Sequence, residues 1–261
     1  MKFTKSIILA GTALTGLFVA SAALAQSTAT EEVEVVVVKG AKKGLGPVNK
    51  ETGTKTKTAI GQDYISAQSA GQTIAETLNL APGYNFTNND PYGSSGGNVR
   101  LRGLDGSRVS LTMDGVQLND AGNYAIYTNQ QLDPELIQSA TVITGATDVD
   151  SMTASASGGT VSYTTRKTSD TFGVEATIST GSFNYNRQFV MLNTGSVGPF
   201  GTQAWFAASN QNYDTFTIEK SPTDNGKLKK QQYNFNIYQP LANGSYFGVR
   251  GNYNENRNRF I

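Results

Sequence analysis

The sequence predicts a mixed α+β domain over residues 59–167, followed over residues 168–261 by the start of an antiparallel β-sheet. The first part alternates short helical patterns with strand patterns. The second part repeats apolar–polar alternation in stretches of roughly ten residues, a length typical of strands that cross a membrane. A leader and a polar linker precede both parts.

Residues 1–25 have the features of a secretory signal peptide. Lys2 and Lys5 precede an apolar run, and small residues up to Ala25 provide a cleavage site before Gln26. The apolar run is too short for a transmembrane anchor. We therefore expect the chain to be exported and the leader to be removed.

The composition excludes several classes of function. The 261 residues include no histidine and no cysteine, so the chain has no Ser-His-Asp triad and no histidine-ligated or cysteine-ligated metal site. We expect no enzyme activity, no metal site and no cofactor. Lysine and arginine number 21 against 20 acids, and this balance gives no indication of a nucleic-acid partner.

Residues 26–58 read as a basic, polar linker that contains one isolated strand pattern. This pattern consists of Glu34, Val35, Val36, Val37 and Val38. Successive β-branched residues favour an edge strand over a solvated linker. Two interpretations stay open on the residues alone: the strand pairs with the chain's own sheet, or it docks another protein by β-augmentation.

The mixed domain over residues 59–167 shows short elements with clear boundaries. Ile74 and Leu78 lie four residues apart on one helical face, and Pro82-Gly83 ends that pattern. The other predicted elements are strands over 99–102 and 109–113, a tight turn at Asp114-Gly115, a short helix begun by Asp133-Pro134, and strands over 139–145 and 158–167.

Residues 168–261 alternate between an apolar and a polar face. The apolar set is Phe172, Val174, Ile178, Phe235, Ile237, Phe247 and Val249; the polar set includes Glu175, Asn234 and Asn236. In a membrane β-barrel the first set would face lipid and the second the lumen. A soluble β-sandwich gives similar alternation, so the pattern alone leaves both architectures open.

Five motifs in a fixed order resemble the TonB-dependent receptors of Gram-negative outer membranes. They are EVEVVVVKG, TIAETLNLAPGYNF, NVRLRGLDGSRVSLTMDGVQLND, LDPELIQSATVITGA and ASGGTVSYTTRK. In that family a valine-rich TonB box precedes a plug domain held inside a transmembrane barrel of about 22 strands. The resemblance implies a TonB box and flexible linker over 26–58, a plug over 59–167 and the first barrel strands over 168–261. The chain departs from the family at Thr144-Gly145-Ala146, where relatives carry Arg-Gly-Pro.

The resemblance also implies an activity and its partners. It implies energised import of a scarce substrate, with a ferric siderophore as the family default, across the outer membrane. The partners would be TonB with its inner-membrane energising complex, outer-membrane lipid, and a small-molecule or metal-chelate substrate. Residues Glu34 to Val38 would contact TonB. The alternative is a passive surface protein, an adhesin or a phage or bacteriocin receptor, which has no need of an exposed valine strand.

Site residues follow from the same resemblance. Arg100 or Arg102 matches the family's plug arginine, and Glu175 on the first wall strand is the candidate partner; pairing within the plug is the other interpretation. The apical loops over 88–97 and 118–130 supply candidate substrate contacts, although turn formation explains such residues equally well. These candidates are Asn88, Asn89, Asp90, Tyr92, Asn119, Asp120, Asn123, Tyr124 and Tyr127.

The length of the chain also differs from that of the family, whose members run to several hundred residues. About five wall strands cannot close a barrel, and open strand edges are not stable in lipid. We therefore interpret the sequence as an N-terminal fragment or a truncated product.

Overall fold

The structure is a computed structural model that describes residues 48–49, 56–145, 156–216 and 226–258. The predicted leader and the valine strand Glu34 to Val38 lie outside the described residues. The strands of the first domain are β1 (Val48–Asn49), β2 (Lys57–Gly61), β3 (Tyr84–Asn88), β4 (Gly97–Leu101), β5 (Leu104–Asp105), β6 (Val109–Met113), β7 (Val116–Gln117), β8 (Ile137–Thr144) and β9 (Gly159–Thr165). Two short helices are α1 (Gln62–Ile65) and α2 (Ile74–Thr77). Single turns of 3₁₀ helix cover Leu78–Leu80, Gly106–Arg108, Thr128–Gln130 and Pro134–Leu136.

We call the described residues from Val48 to Arg166 the mixed domain; its strands form two sheets. The larger has the order β1-β2-β8-β9-β6-β7, in which only the β6–β9 pair is parallel. The smaller joins β3, β4 and β5. Apolar side chains from both sheets and both helices share one core, which includes Ile60, Ile74, Leu78, Leu101, Val109 and Ile137. Each fully buried aliphatic side chain contributes about 1.5–3 kcal/mol of transfer free energy, so this core can hold the domain together.

The helix pattern near Ile74 folds as the sequence predicts. Helix α2 continues as a turn of 3₁₀ helix to Leu80, and the side chains of Ile74 and Leu78 are both completely buried. The chain then turns at Gly83, whose φ of +79° is a conformation that glycine adopts without strain. This turn directs the chain into β3, which lies against the helix.

The Asp114-Gly115 turn also forms, between β6 and β7. Both residues have positive φ angles of 50° and 84°, which suits a two-residue hairpin loop. The Asp114 carboxylate accepts hydrogen bonds from the Thr165 amide at 3.0 Å and the Thr165 hydroxyl at 2.9 Å. The turn therefore fixes the end of β9, where the chain leaves the mixed domain.

The rest of the described chain forms a five-stranded antiparallel sheet, which we call the wall sheet. Its strands are β10 (Phe172–Gly181), β11 (Tyr185–Val197), β12 (Thr202–Asp214), β13 (Lys227–Pro240) and β14 (Tyr246–Asn258), in sequence order across the sheet. Residues 182–184 connect β10 to β11 at what we call its upper end, and residues 198–201 and 241–245 make short connections at its lower end. No helix among the described residues is long and apolar enough to cross a membrane.

The two faces of the wall sheet differ as the alternation predicts. Phe172, Val174 and Ile178 are 72%, 61% and 79% exposed on the outer face. Phe189 and Met191 are buried on the inner face, which packs against the mixed domain. The predicted apolar set lies on the outer face, and Glu175, Asn234 and Asn236 lie on the inner face. A sandwich would place a second sheet where the mixed domain lies.

Candidate functional site

The mixed domain and the wall sheet meet along an interface that we call the seam. Its apolar part joins Leu132 and Leu136 of the mixed domain to Phe189, Met191 and Trp205 of the wall. The Trp205 indole also donates a hydrogen bond at 3.0 Å to a carbonyl of the mixed domain. This patch is small, and most of the remaining seam contacts are polar.

A group of charges that we call the central cluster lies in the seam beside the apolar patch. The Arg187 side chain is fully buried, and its Nη1 and Nη2 atoms lie 2.6 and 2.8 Å from the two carboxylate oxygens of Glu135. Its Nη2 atom also lies 3.3 Å from an Asp133 oxygen. A bidentate arginine–carboxylate pair of this kind is a strong and directional contact.

Local structure explains why these three charges meet. Strand alternation turns Arg187 to the same face as Phe189 and Met191, towards the mixed domain. Asp133 and Glu135 flank Pro134, where the predicted short helix forms one 3₁₀ turn. The Asp133 carboxylate makes no helix-capping bond; it accepts from the Ser209 hydroxyl of the wall instead.

Wall strand β13 completes the central cluster with two further side chains. Gln232 accepts from the Asp133 amide at 3.0 Å and donates to the Gln131 carbonyl at 2.8 Å. The Lys230 ammonium, which is buried, donates to the same carbonyl at 3.2 Å. The cluster thus contains two cations and two anions.

In this cluster the cost of burying the charges offsets much of their mutual attraction, so the cluster adds little net stability to the seam. Burial raises the pKa of the Glu135 carboxyl, and the attraction of Arg187 only partly offsets this effect. Desolvation therefore cancels much of the attraction between the charges. Buried ion pairs often add little net stability, yet removing one partner costs about 3–5 kcal/mol because it leaves a buried charge unpaired.

A second group, the apical cluster, joins the loop over residues 88–97 to the upper end of the wall. Asp90 is 1% exposed and accepts from the amides of Tyr92, Gly93 and Ser95 at 2.6–2.8 Å. Its Oδ1 atom also accepts from the Tyr213 hydroxyl of β12 at 2.6 Å. Asp90 therefore folds its own loop and attaches that loop to the wall.

Three tyrosine rings strengthen this attachment. Tyr92 stacks on Tyr185 of the wall with ring centres 4.0 Å apart, and it meets Tyr213 edge-on at 5.0 Å. The Tyr92 hydroxyl donates to the Ser182 carbonyl at 3.0 Å, and the Tyr185 hydroxyl donates to the Ala70 carbonyl at 2.7 Å. Aromatic pairs in these geometries contribute about 0.5–1.5 kcal/mol beyond their buried area.

A third group, the lower cluster, holds the mixed domain where the chain passes into the wall. Arg166 lies 2.7 Å from Glu175 of β10, and Arg250 of β14 pairs with Asp114 in the β6–β7 turn. These pairs are partly exposed, so each contributes less than a buried pair. The seam therefore has polar or ionic contacts at its apex, its centre and its base.

Comparison with known proteins identifies the mixed domain. Residues 49–160 match the family described as TonB-dependent Receptor Plug Domain. The chain carries a TonB-dependent receptor plug domain. The mixed domain is hereafter called the plug. No curated protein matches the chain in sequence.

Solved structures share the arrangement of plug and wall strands. The pyoverdine outer membrane receptor FpvA from Pseudomonas aeruginosa PAO1, bound to pyoverdine, is 19% identical with a TM-score of 0.63. The ferric-catecholate import receptor Fiu from E. coli K12 is 20% identical (TM-score 0.62), and the copper transporter OprC is 18% identical (TM-score 0.60). These matches cover 77%, 79% and 80% of this chain but 28%, 28% and 32% of those structures, respectively. They show the plug and the start of an antiparallel barrel that the described strands leave unclosed.

The predicted ion pair between the plug arginines and Glu175 is not the pair that the structure contains. Glu175 pairs with Arg166, which emerges from the plug beside the base of β10. Arg100 is exposed, and its register partner in the β4–β5 pair is Asp105. Arg102 is also exposed, in a turn with a φ of 54°. The main charged contact of the seam has the reverse polarity, with the arginine on the wall and the acids on the plug.

The candidate substrate residues divide into two groups. Asp90, Tyr92, Asn119 and Asp120 are engaged in bonds that shape the plug or attach it to the wall; for example, Asn119 accepts from the Leu111 amide at 2.7 Å. Asn88 donates to Glu76 at 2.9 Å. Asn89, Asn123 and Tyr127 are exposed and Tyr124 is half-buried, and all four remain proposed contacts. No group of three or more histidine, cysteine, aspartate or glutamate side chains in the described ranges could hold a metal ion.

Three residues of the seam are not among the site residues predicted from the sequence: Arg187, Lys230 and Tyr213. Strand alternation could have identified Arg187 and Lys230. Each occupies an inward position of its strand, and the next inward residues on that strand also face the plug. A cation at an inward position of the wall needs a carboxylate partner in the lumen or on the plug, because a buried charge is costly unless it is paired. Nothing local in the sequence identifies Asp90 as the partner of Tyr213, since the two lie 123 positions apart.

Proposed function

We propose that this chain forms the plug and first wall strands of an energised importer in the Gram-negative outer membrane. The observation that carries the proposal is the seam. A plug with its own apolar core rests on the polar inner face of a wall whose outer face is apolar. Such a plug can shift without unfolding, which is what a gated import path requires.

The chemistry of the seam supports a movable plug. Hydrogen bonds and ion pairs across the seam can be exchanged for bonds to water when the plug moves, whereas buried apolar surface would resist separation. In the central cluster the wall carries two cations and the plug carries two anions, so each surface has charged groups that water can solvate when the two part. The apolar patch around Trp205 is small enough to allow movement and large enough to define one resting position.

The proposed substrate is a ferric siderophore or another metal chelate. Three solved structures with this fold are described as a pyoverdine receptor, a ferric-catecholate import receptor and a copper transporter. Each of those descriptions names a metal or a metal-binding ligand. In this chain the accessible apical residues Asn89, Asn123, Tyr124 and Tyr127 offer amide and hydroxyl groups that suit a polar chelate.

The proposed source of energy is TonB, with its inner-membrane complex, acting on Glu34 to Val38. A strand of four valines preceded by an acid can pair with an incoming strand through its backbone. It precedes the plug by a linker, so a pull on it would reach the plug at β1 and β2. The predicted signal peptide supports export to this location.

Substituting Val36→Pro tests the proposal, because proline removes an amide donor from strand pairing. In the protein expressed with its complete coding sequence, we expect loss of energised uptake of a ferric siderophore and unchanged binding of that siderophore at the cell surface. Val36→Thr is the matched control, since it keeps both the amide and the β-branched shape. It should transport normally.

The same experiment separates the importer from a passive surface protein. If Val36→Pro cells take up the chelate as fast as wild-type cells, the TonB contact is wrong. If wild-type cells show no proton-gradient-dependent uptake of any chelate but still bind a phage or bacteriocin, the passive alternative is correct. Loss of both binding and uptake in Val36→Pro would mean that the substitution harms folding, and normal behaviour of Val36→Thr would then assign the damage to the proline and not to the position.

A further inference from the structure

A hollow of about 580 Å³ lies beside the lower cluster, on the inner face of the wall sheet; we call it the lower hollow. One side is formed by inward positions of β12, β13 and β14, and the other by the segment in which the chain leaves the plug. Its polar and aromatic lining consists of Lys167, Gln203, Asn236, Tyr238, Tyr246 and Arg250. A volume of this size suits a small organic ligand.

Strand register and one glycine open the lower hollow. Tyr238 of β13 and Gly248 of β14 are register partners, and Tyr246 lies two residues below Gly248 on the same face. Because Gly248 has no side chain, the Tyr246 ring reaches Tyr238, with ring centres 5.3 Å apart. A Cβ atom at Gly248 would have no neighbour closer than 3.8 Å apart from the adjoining residues. The position therefore offers space that a longer side chain would fill.

Two contacts hold the sides of the lower hollow in place. The Thr168 hydroxyl donates to the side-chain oxygen of Gln203 at 2.9 Å, which attaches the segment leaving the plug to β12. Arg250 of β14 pairs with Asp114 in the β6–β7 turn of the plug. A site whose walls are already fixed loses less entropy when it binds a ligand.

The lower hollow carries positive charge. Lys167 is exposed and forms no ion pair with any described residue. Arg250 uses one nitrogen for Asp114, so the guanidinium keeps further N–H donors. Glu175, the other acid of the lower cluster, is paired with Arg166. An acidic group that enters the hollow therefore meets an unpaired ammonium and a guanidinium, which are strong partners for a carboxylate.

We infer that the lower hollow binds an aromatic carboxylate, with the acid on Lys167 and Arg250 and the ring against Tyr238 and Tyr246. The inference rests on the proposed function and adds a ligand class to it. An imported chelator that has passed the plug arrives at this end of the wall. The lower hollow would hold an acidic, aromatic chelator there, at the opposite end of the plug from the apical loops.

The test uses the protein expressed with its complete coding sequence and purified from outer membranes in a neutral detergent. The probes are salicylate and salicylamide, which have the same ring and nearly the same shape but differ in charge. Titrations followed through the ligand NMR signals give both dissociation constants. We expect salicylate to bind about fivefold more tightly than salicylamide, the upper range for one ion pair at an exposed site.

One pair of variants tests the charge. Lys167→Gln should remove most of the preference for salicylate, because it takes away the unpaired ammonium. Lys227→Gln removes the same charge at the upper end of β13 and should keep the preference. Equal binding of salicylate and salicylamide by the wild-type protein, or no binding of either, would overturn the inference.

A second pair of variants tests the location. Gly248→Leu fills the lower hollow and should weaken both probes at least fivefold. Gly173→Leu is the matched control, because it adds the same side chain at an inward position of β10 that also has open space around it. Tyr246→Ser removes one ring and should weaken both probes without filling the hollow. If Gly248→Leu and Tyr246→Ser both bind as the control does, the ligand does not occupy the lower hollow.

The proposed function and the lower hollow can fail separately. A protein that shows TonB-dependent uptake of a chelate but does not distinguish salicylate from salicylamide would refute the ligand site alone. A protein that binds salicylate in the lower hollow but shows no TonB-dependent uptake would refute the import function alone.

Discussion

The core of the plug and the seam between plug and wall use different chemistry. The core contains apolar side chains from both sheets and both helices, with Ile74, Leu78 and Leu101 completely excluded from water. The seam has a small apolar patch around Trp205 and an aromatic contact around Tyr92, and it otherwise consists of ion pairs, amides and hydroxyls. The difference indicates which contacts are permanent and which can be exchanged.

The energetics of the plug core and of the seam lead to the same conclusion about which contacts are permanent. Burying apolar surface lowers the free energy because water is released from it. Separating such surfaces therefore costs free energy in proportion to the apolar area exposed, at every stage of a plug movement. A balanced set of charges gains little in net free energy, but it tolerates only one register of contact. The core therefore keeps the plug folded, and the seam specifies where the folded plug rests.

The largest expected effect comes from leaving the central acids without their partner. Arg187→Met should lower the free energy that holds the plug on the wall by about 3–5 kcal/mol, because Asp133 and Glu135 lose the guanidinium that contacts both of them and keep only Lys230 as a nearby cation. Hydrogen exchange of the plug in detergent-solubilised protein would measure this as faster exchange along the seam. Exchange in the plug core should change much less.

Two controls sharpen this comparison. Leu78→Ala should cost about 2–5 kcal/mol through the cavity it leaves, with faster exchange in the plug core. Combining Arg187→Met with Asp133→Asn, Glu135→Gln and Lys230→Gln removes all four charges of the cluster and should recover at least half of the loss. If this quadruple variant is as unstable as Arg187→Met alone, packing and not charge explains the role of Arg187.

A smaller effect is expected at the apical cluster. Tyr213→Phe removes one hydrogen bond to the Asp90 carboxylate and should cost about 1.5–3 kcal/mol, the range for bonds to charged groups. The loop over residues 88–97 should become more sensitive to protease, while the rest of the plug keeps its resistance. Tyr233→Phe, on the outer face, is the matched control and should leave the loop resistant. Equal protease sensitivity in both variants would contradict the assignment.

The smallest effect is expected within the plug, at Asp105. Asp105 accepts from the Ser107 amide at 3.0 Å, and this bond, with a smaller contribution from Arg100, lowers the pKa of its carboxyl. Asp105→Ala should cost about 0.5–1 kcal/mol at neutral pH, because it removes a helix cap at an exposed position. Asp105→Asn keeps an acceptor and should lose less than Asp105→Ala.

The pH dependence of this effect has a definite sign. A carboxyl whose pKa is lower in the folded state stabilises the fold above its unfolded pKa of about 3.9, and the contribution disappears as the pH falls through the folded value. The difference between wild type and Asp105→Asn should therefore shrink on acidification below about pH 4. Urea unfolding at several pH values measures it. A difference that grows on acidification would contradict the cause assigned to the shift.

Several features could be read from the sequence because they depend on near neighbours. The Asp114-Gly115 turn forms because these residues accept positive φ angles, and α2 forms because Ile74 and Leu78 share one face. The faces of β10 follow from alternation alone, so Val174 and Glu175 lie on opposite sides. Each of these features depends on a few successive residues.

Other features depended on contacts between distant parts of the chain. Glu175 faces inward as predicted, but its partner is Arg166 because the chain leaves the plug beside β10. Asp133 begins the predicted short helix, yet its carboxylate makes no cap bond and points to Ser209 and Arg187 of the wall. In both cases the local pattern gave the position of the side chain and not its partner.

By itself, the sequence determined the order of plug and wall, the short elements of the plug and the two faces of the wall, because backbone geometry and alternation act over a few residues. Only the tertiary structure decided which charges meet across the seam. Arg187 is paired with acids more than 50 positions away, and the free energy of a buried charge depends on what surrounds it in space. That dependence is why Arg100 and Arg102 could resemble seam residues in the sequence and lie exposed on the plug in the fold.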